Sequence, residues 1–374
     1  MTAEKKILKP WLVAGTAAFL FSKAMVYFFA YLSVHNYLDL DIWSKWDTGL
    51  YFDIVKNGHR IEPCSYDPNK VCGNAGWAPL YSFIIRFLQF VFNLEIKMAA
   101  YLASNFFYLS YLLVVSKMIV KSIDFKSLLL LLIAVIMPGY IYAHAYFPMS
   151  LCLLSLVLVI KGILENKIGL VILFSSILTW SHSSGFFIIP ILTLYYGLKW
   201  MQERKADNFY QIIKGVLPSI LSFLGLLFYD KMVTGKWNAM FLTQEKYGHH
   251  LQSPIKLFGI HFKQMLDRMN RIEAWIDFQN IFMFCAAIIF VAFLLFSKKQ
   301  TLSIKILIIS IIIFFWLIPF SLGLNISLYR SVIMISPLVI FLQNYSWKTL
   351  VPLAVCFLIL AFPMAKLFLL SILV

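Results

Sequence analysis

The sequence predicts an all-helical protein that crosses a membrane many times. Of its 374 residues, 61% are hydrophobic and only 13% are charged, whereas an ordinary soluble domain has roughly a quarter of its residues charged. Long apolar runs, such as residues 128–136 and 304–320, continue without the polar face that a surface helix of a soluble protein would show. These runs indicate helices surrounded by lipid and by other helices.

The apolar runs between charged residues predict about eleven spans, since one crossing needs about twenty apolar residues. The first run follows Lys5, Lys6 and Lys9, but it is too long for a secretory signal and has no clean cleavage site. We therefore expect it to be retained. The fourth to sixth runs are short enough for tilted or broken helices. The predicted spans are residues 11–33, 98–120, 127–145, 149–164, 168–181, 185–200, 209–230, 280–297, 302–323, 328–344 and 349–372.

The basic residues predict how the spans are oriented, because Lys and Arg collect in cytoplasmic connections. With the N-terminus inside, the short outer turns at residues 146–148 and 181–184 carry no basic residue, and two long loops, residues 34–97 and 231–279, lie outside. The same rule accounts for the net charge of +15, so no nucleic-acid partner is expected. The inner basic residues are Lys121, Lys126, Lys161, Lys167, Lys199, Arg204, Lys205, Lys214, Lys298 and Lys299.

Residues 79–94 of the first loop are apolar, but they are few and include Arg86. This pattern predicts a helix that lies in the outer interface. The alternative, a short second span, would reverse every later connection and place the basic ones outside. We therefore expect residues 1–374 to form one membrane domain in contact with lipids, with two outer loops that contain interfacial helices.

The five cysteines fall into two groups. Three lie inside predicted spans as small apolar residues, whereas Cys64 and Cys72 flank a turn-rich stretch of the first loop. The latter two would pair if the loop faces an oxidising compartment. Spacing alone does not establish the geometry of a bridge, so a disulfide and two free thiols both stay open.

The first loop contains the most informative motif, and further elements follow it in order along the chain. In the first loop these elements are Trp46-Asp47, Tyr51, Ile54-Val55, Gly58-His59, Ala78-Pro79-Leu80-Tyr81-Ser82 and Arg86; later ones are Ser104-Asn105, Gly235, Phe241, Thr243-Gln244, Tyr247 and Tyr329-Arg330 before Pro337. The series resembles the glycosylphosphatidylinositol mannosyltransferase II family and its bacterial relatives. The first-loop set is the most specific part of this resemblance.

The chain departs from the family pattern at two predicted outer turns. After the third span the family has Tyr-Ser-Glu-Ser, whereas residues 146–150 read Tyr-Phe-Pro-Met-Ser and contain no acid. At a later turn, where the family has Arg three residues before a Gly, this chain has His182 before Gly185. We interpret both changes as a difference in the sugar or the acceptor.

The resemblance implies a C-type glycosyltransferase-like fold and activity. Such enzymes take a sugar from a polyprenyl-phosphate donor and transfer it with inversion outside the cytoplasm, here at a bacterial inner membrane. Mannose is the expected sugar, and a lipid-linked or surface glycan is the expected acceptor. No cofactor is expected, since an outer site has no supply of sugar nucleotide and the chain shows no glycine-rich phosphate loop.

Asp47 is the candidate general base for the acceptor hydroxyl. The alternative is a helix cap, because Asp47-Thr48-Gly49 is also a plausible helix start. Asp53 either faces away from Asp47 or assists it. Asp39 and Asp41 form a second acidic pair, and paired carboxylates can hold a divalent cation. We favour the alternative that both are simply solvated acids, so no metal site is predicted.

Arg330, Arg86 and His182 are the candidate partners of the donor phosphate, because fixed cations and donors stabilise the charge that develops there. For Arg330 the alternative is contact with lipid headgroups, and for His182 it is a structural role at a helix end. The sequon Asn325-Ile326-Ser327 lies too close to the membrane to be used. The candidate substrate contacts are Trp46, Tyr51, Tyr81, Gln244 and Tyr247.

A polytopic transporter or lipid flippase without glycosyl transfer is the alternative function. Transporters have ionisable residues near the middle of the bilayer, at the interface of repeated halves. Here the acidic residues gather in the predicted outer loops and the span interiors hold almost none. This distribution favours chemistry at the membrane surface.

Overall fold

The computed structural model describes residues 9–323 and 328–373, so Lys5, Lys6 and the sequon at residues 325–327 lie outside the described residues. Within these ranges the chain is almost entirely helical, and its one sheet has two strands. The prediction of an all-helical membrane protein is confirmed. The helices long and apolar enough to cross a membrane are Pro10–Ser33, Ile96–Ile119, Phe209–Thr234, Ala274–Phe296, Leu302–Ser321 and Trp347–Leu369.

Numbered in chain order, seventeen α-helices occur in the described ranges. Short 3-10 helices cover Leu40–Trp43, Tyr140–Ala143, Ser183–Phe187 and Ser336–Leu338, and a π-helical turn covers Ile313–Leu317. The α-helices are α1 Pro10–Ser33, α2 Thr48–Asn57, α3 Leu80–Phe92, α4 Ile96–Ile119, α5 Phe125–Ile136, α6 Met149–Leu164, α7 Ile168–Ser181, α8 Ile188–Glu203, α9 Ala206–Thr234, α10 Ala239–Glu245, α11 Pro254–Asp267, α12 Ala274–Phe296, α13 Leu302–Ile312, α14 Ile318–Ser321, α15 Leu328–Met334, α16 Val339–Leu342 and α17 Trp347–Leu369.

Local sequence signals explain where several of these helices begin. Pro10 is the first residue of α1, where its missing N–H would have no partner in any case. The side chains of Asp124 and Thr301 accept hydrogen bonds from backbone N–H groups in the first turns of α5 and α13. The helices α6 and α7 begin and end at the predicted residues. Pro148 precedes α6, Glu165 and Lys167 separate the two helices, and His182 follows α7.

Two predicted continuous spans are broken. The prediction of one helix over residues 127–145 is wrong, because α5 ends at Ile136, immediately before Met137-Pro138-Gly139. A residue that precedes proline avoids the helical conformation, and Gly139 has a positive φ of 84°. Residues 328–344 are likewise divided into α15, a 3-10 turn at Ser336-Pro337 and α16. The Ser336 hydroxyl makes a 2.8 Å hydrogen bond with Tyr111 at the second break, which satisfies a polar group there.

Small residues let the helices pack closely. Gly15 of α1 lies against Leu113 and Ser116 of α4, where a Cβ atom would come within 3.0–3.1 Å of their side chains. The Ser116 hydroxyl donates a 2.7 Å hydrogen bond to the carbonyl oxygen of Trp11. Such contacts are typical of membrane helices, whose association depends on close packing and on hydrogen bonds between helices.

The predicted inner and outer connections gather at opposite ends of the helix bundle. At one end, here named the basic end, Lys126 and Lys299 donate hydrogen bonds to the backbone carbonyls of Gln343 and Asn344. At the other, here named the loop end, Gln244 of the second long loop donates to the backbone of the first. The two long loops thus meet at one end, as the predicted orientation requires.

The first long loop is a folded unit. Strands β1 Ile61–Pro63 and β2 Val71–Gly73 form an antiparallel hairpin, and Cys64 is bonded to Cys72 across it with a Cα–Cα distance of 4.9 Å. The alternative of two free thiols is therefore wrong. The Asn74 amide donates a 2.6 Å hydrogen bond to Asp53, which also pairs with Arg60. Asp53 thus binds other residues of this loop. Of the two alternatives for Asp53, a position facing away from Asp47 is the one that these contacts favour.

Cysteine labelling of the two ends tests the orientation. In a chain carrying Cys285→Ala, we expect Tyr66→Cys and Trp237→Cys to react with a membrane-impermeant maleimide on intact cells, because these loop-end residues are 66% and 52% exposed. We expect Gln202→Cys, exposed at the basic end, to react only after permeabilisation. The reverse pattern would contradict the orientation.

Candidate active site

A cavity of about 340 Å³ opens where the two long loops meet. Its volume falls in the range of small-molecule sites, about 300–1,000 Å³. Six separate segments contribute to its wall, which combines aromatic rings with a few polar groups. The lining residues are Asp47, Trp77, His182, Ser183, Ser184, Phe186, Phe187, Met240, Phe241, Gln244, Tyr247, His249, Pro319, Leu322, Arg330 and Ser331.

Asp47 and Arg330 form an ion pair in this cavity, although 283 residues separate them in the sequence. Asp47 occupies the N-cap position of α2, but its side chain makes no capping hydrogen bond; the predicted alternative of a helix cap is wrong. The preceding Trp46 has a positive φ of 50°, which is uncommon for a residue other than glycine. The carboxylate that follows this turn lies in the cavity wall.

The surroundings of Asp47 keep its carboxyl group ionised. Burial raises its pKa, but the positive charge of Arg330, a hydrogen bond from Trp77 and hydrogen bonds from Arg330 lower it by more. The net pKa therefore lies below the ordinary value of 3.8. Asp47 is an anion at neutral pH, able to accept a proton but weakened as a base while Arg330 contacts it.

Arg330 is held from two further directions. Its guanidinium lies 5.4 Å from the centre of the Phe147 ring, within the range of a cation–π contact. Phe147 belongs to the turn in which this chain departs from the family pattern. One residue before Arg330, the carbonyl group of Tyr329 packs directly against Gly139, where any Cβ atom would overlap the carbonyl oxygen. Gly139 therefore lets α15 approach closely enough to place Arg330 opposite Asp47.

His182 lies beside this pair as a neutral ring. Burial lowers its pKa to about 4; Arg330 acts in the same direction and Asp47 opposes it. The Ser184 backbone N–H donates to Nδ1 of His182 at 3.1 Å, which leaves the ring proton on Nε2. His182 can thus donate a hydrogen bond near neutral pH, but it does not replace the positive charge of the family's arginine.

The second long loop closes the cavity with α10 and the residues that follow it. The Gln244 amide donates a 3.1 Å hydrogen bond to the carbonyl oxygen of Gly76, which ties the second loop to the first. Tyr247 stacks on His249 with their ring centres 5.6 Å apart. The predicted contacts Gln244 and Tyr247 both line the cavity, as does Trp77.

Other predicted site residues are not in the cavity wall. Tyr51 and Tyr81 are buried against each other, and Tyr81 bonds to Ser104 at 2.6 Å; they join α2 and α3 to α4, which corrects their prediction as substrate contacts. Arg86 is exposed on α3 and is not among the lining residues, so its role as a phosphate partner stays a prediction. Trp46 is 36% exposed and likewise lies outside the lining.

The acidic pair Asp39 and Asp41 has structural partners. Asp39 accepts a 2.9 Å hydrogen bond from the backbone of Asp41 at the start of a 3-10 helix, and Asp41 pairs with Lys97. Within residues 9–323 and 328–373, no cluster of three or more His, Cys, Asp or Glu side chains could hold a metal ion. Both acids therefore have partners within the protein.

The sequence matches no model of a known protein family, and no curated protein is significantly similar to it. The resemblance to the mannosyltransferase family therefore rests on the motif residues alone. The geometry of the cavity does not depend on that resemblance.

Removing the positive charge of Arg330 is expected to raise the pKa of Asp47. In Arg330→Gln, burial acts without its main opposing charge, so protonation of the carboxyl group should begin at higher pH than in the wild type. Infrared difference spectra against pH, with Asp47→Asn spectra subtracted, would follow the protonated carboxyl band. Arg86→Gln, a change outside the cavity, is the control. Identical titrations of Arg330→Gln and wild type would contradict this account of the pair.

Proposed function

We propose that the chain is a glycosyltransferase that moves a sugar, with mannose as the expected one, from a polyprenyl-phosphate donor to a lipid-linked or surface glycan. One observation carries the proposal. A carboxylate and a guanidinium from distant parts of the chain converge in one cavity at the loop end. Transfer from such a donor requires a base for the acceptor and a positive group for the phosphate.

In the proposed reaction, the acceptor oxygen attacks the anomeric carbon of the sugar and its proton passes to Asp47. The bond between that carbon and the phosphate oxygen breaks, and the phosphate leaves with the electron pair. Attack from the face opposite the leaving group inverts the configuration. Arg330 binds the phosphate oxygens, and the neutral His182 donates a hydrogen bond within the same cavity.

The ion pair must open before this reaction can occur, because inversion requires the base and the phosphate on opposite sides of the sugar. In the resting protein Asp47 and Arg330 are in direct contact. A donor phosphate would compete with Asp47 for the guanidinium, which can bind phosphate through two hydrogen bonds. Release from Arg330 would raise the pKa of Asp47 and make it a stronger base at the moment when the donor is in place.

We further propose that the fold has eleven spans, with the cavity outside the cytoplasm of a bacterial inner membrane. The basic residues at the opposite end support this orientation. The Cys64–Cys72 disulfide supports it as well, because disulfides persist in oxidising compartments. Apolar lining residues such as Phe186, Phe241 and Leu322 suit a donor that reaches the cavity with a lipid chain.

A transporter remains the second candidate, and Lys23 is the observation that favours it. This lysine lies in α1, and its ammonium group is buried without a hydrogen-bond partner, 5.0 Å from the centre of the Tyr101 ring. Ionisable groups inside membrane helices often mark transport pathways. Lys23 is not among the residues that line the loop-end cavity, and the convergence of Asp47 with Arg330 favours transfer chemistry.

A transfer assay with purified protein and a radiolabelled polyprenyl-phosphate sugar tests the proposal. We expect Asp47→Asn to reduce transfer by about 10²–10⁴-fold, the usual contribution of a general base. Asp41→Asn, which alters another carboxylate of the same loop paired with Lys97, should retain most of the activity. Equal transfer by Asp47→Asn and wild type would contradict the assigned base. Absence of transfer by wild type across several sugars and acceptors would contradict the enzyme.

A further inference from the structure

A second positive group lies at the cavity and has no part in the reaction described above. The ammonium of Lys246 is 5.6 Å from the centre of the Trp77 ring and 5.0 Å from that of Tyr247. These rings come from different long loops, and both line the cavity. Lys246 therefore sits at the junction of the two loops, next to the Gln244–Gly76 hydrogen bond.

The negative charge of the leaving phosphate requires more than one positive group to balance it. A sugar joined to a polyprenyl phosphate is a phosphodiester with one negative charge, whereas the departing monoester has a second pKa near 6 and so carries almost two negative charges at pH 8. The additional charge develops as the glycosidic bond breaks. Groups that stabilise such developing charge accelerate the reaction itself.

The residues of the cavity wall do not supply that second charge. Among the lining residues that the structure describes, Arg330 is the strong cation, and in the resting state Asp47 already neutralises it. His182 is neutral near pH 7, since its pKa is about 4. When Arg330 binds the phosphate of the donor, it balances the single negative charge of the diester. The second negative charge, which forms as the bond breaks, then has no positive partner among the described residues of the cavity wall.

We propose that Lys246 binds the second negative charge that the leaving phosphate gains. The inference rests on the proposed function and names a further residue for it. A lysine has a flexible stem and a compact charge with three donors, so its ammonium can leave two aromatic rings for a phosphate oxygen. The rings hold it near the cavity before the charge appears.

Electrostatics supports this assignment. Burial lowers the pKa of Lys246, and the carboxylate of Asp47 opposes that change. The carboxylate of Asp47 is therefore close enough to interact electrostatically with the ammonium of Lys246. A phosphate dianion in the same cavity would act on Lys246 in the same direction as Asp47 and would favour its protonated form.

Binding of two lipid phosphates tests the role of Lys246 without any transfer step. The probes are farnesyl phosphate, a monoester, and farnesyl methyl phosphate, a diester, measured by calorimetry in detergent at pH 8. We expect the wild type to bind the monoester about tenfold more tightly or better, the scale of one charge-assisted hydrogen bond. Lys246→Gln should bind both probes alike, whereas Lys246→Arg should keep the preference. Arg330→Gln should weaken both probes.

Lys256→Gln is the matched control, because Lys256 is exposed on the same loop and should leave the preference unchanged. A preference retained in Lys246→Gln would overturn the proposal, and so would a preference lost in Lys256→Gln, which would indicate a general effect of loop charge. Equal binding of both probes by the wild type would also overturn it. A selective Lys246-dependent site in a protein that transfers no sugar would contradict the proposed function and leave the site standing.

The transfer assay gives a second readout and separates the donor from a phosphate-bearing acceptor. If Lys246 acts on the leaving group, Lys246→Gln should lower kcat and leave the KM of the donor nearly unchanged, because the second charge exists only as the bond breaks. A raised KM for a phosphate-bearing acceptor, with unchanged kcat, would instead assign Lys246 to that acceptor and overturn the leaving-group role.

Discussion

The partly buried ion pair between Asp47 and Arg330 is the interaction on which the site depends. Two charges taken out of water are costly unless each meets its partner with good geometry, and removing one partner leaves the other uncompensated. The chain meets this constraint with parts that are far apart in sequence. The Trp46 turn places the carboxylate, Phe147 supports the guanidinium, and Gly139 lets the backbone at Tyr329 come close.

The same pair explains how Asp47, a weak base in the resting protein, and Arg330, already paired with it, could both act in a transfer reaction. While Arg330 holds Asp47, the low pKa of the carboxyl group keeps it ionised and poorly basic. A phosphate that competes for the guanidinium would change both properties at once. Lys246, held between rings from the two long loops, would then meet a charge that exists only late in the reaction. The folding of the two loops against each other thus brings together Asp47, which is proposed to act on the acceptor, and Lys246, which is proposed to act on the donor phosphate.

Composition and charge predicted the class of fold because lipid imposes strong rules on sequence. Helices α6 and α7 could be predicted to the residue, since proline, charged residues and histidine bound their apolar runs. The breaks at Pro138 and Pro337 were missed because apolar run length outweighed the local effect of proline. The disulfide stayed open at the sequence level, since it depends on the register of a hairpin, which spacing does not define.

The site was only partly predictable, and for a different reason. Asp47 and Arg330 could be named from the motif resemblance, whereas Tyr51 and Tyr81 belong to the same motif but pack into the protein. Lys246 lies between two predicted contacts, and only the folded loops reveal the rings around it.

The most direct test of the account is a structure with a polyprenyl monophosphate bound. It should show the phosphate on Arg330 with Asp47 released. A phosphate bound elsewhere, with the Asp47–Arg330 pair intact, would contradict the account.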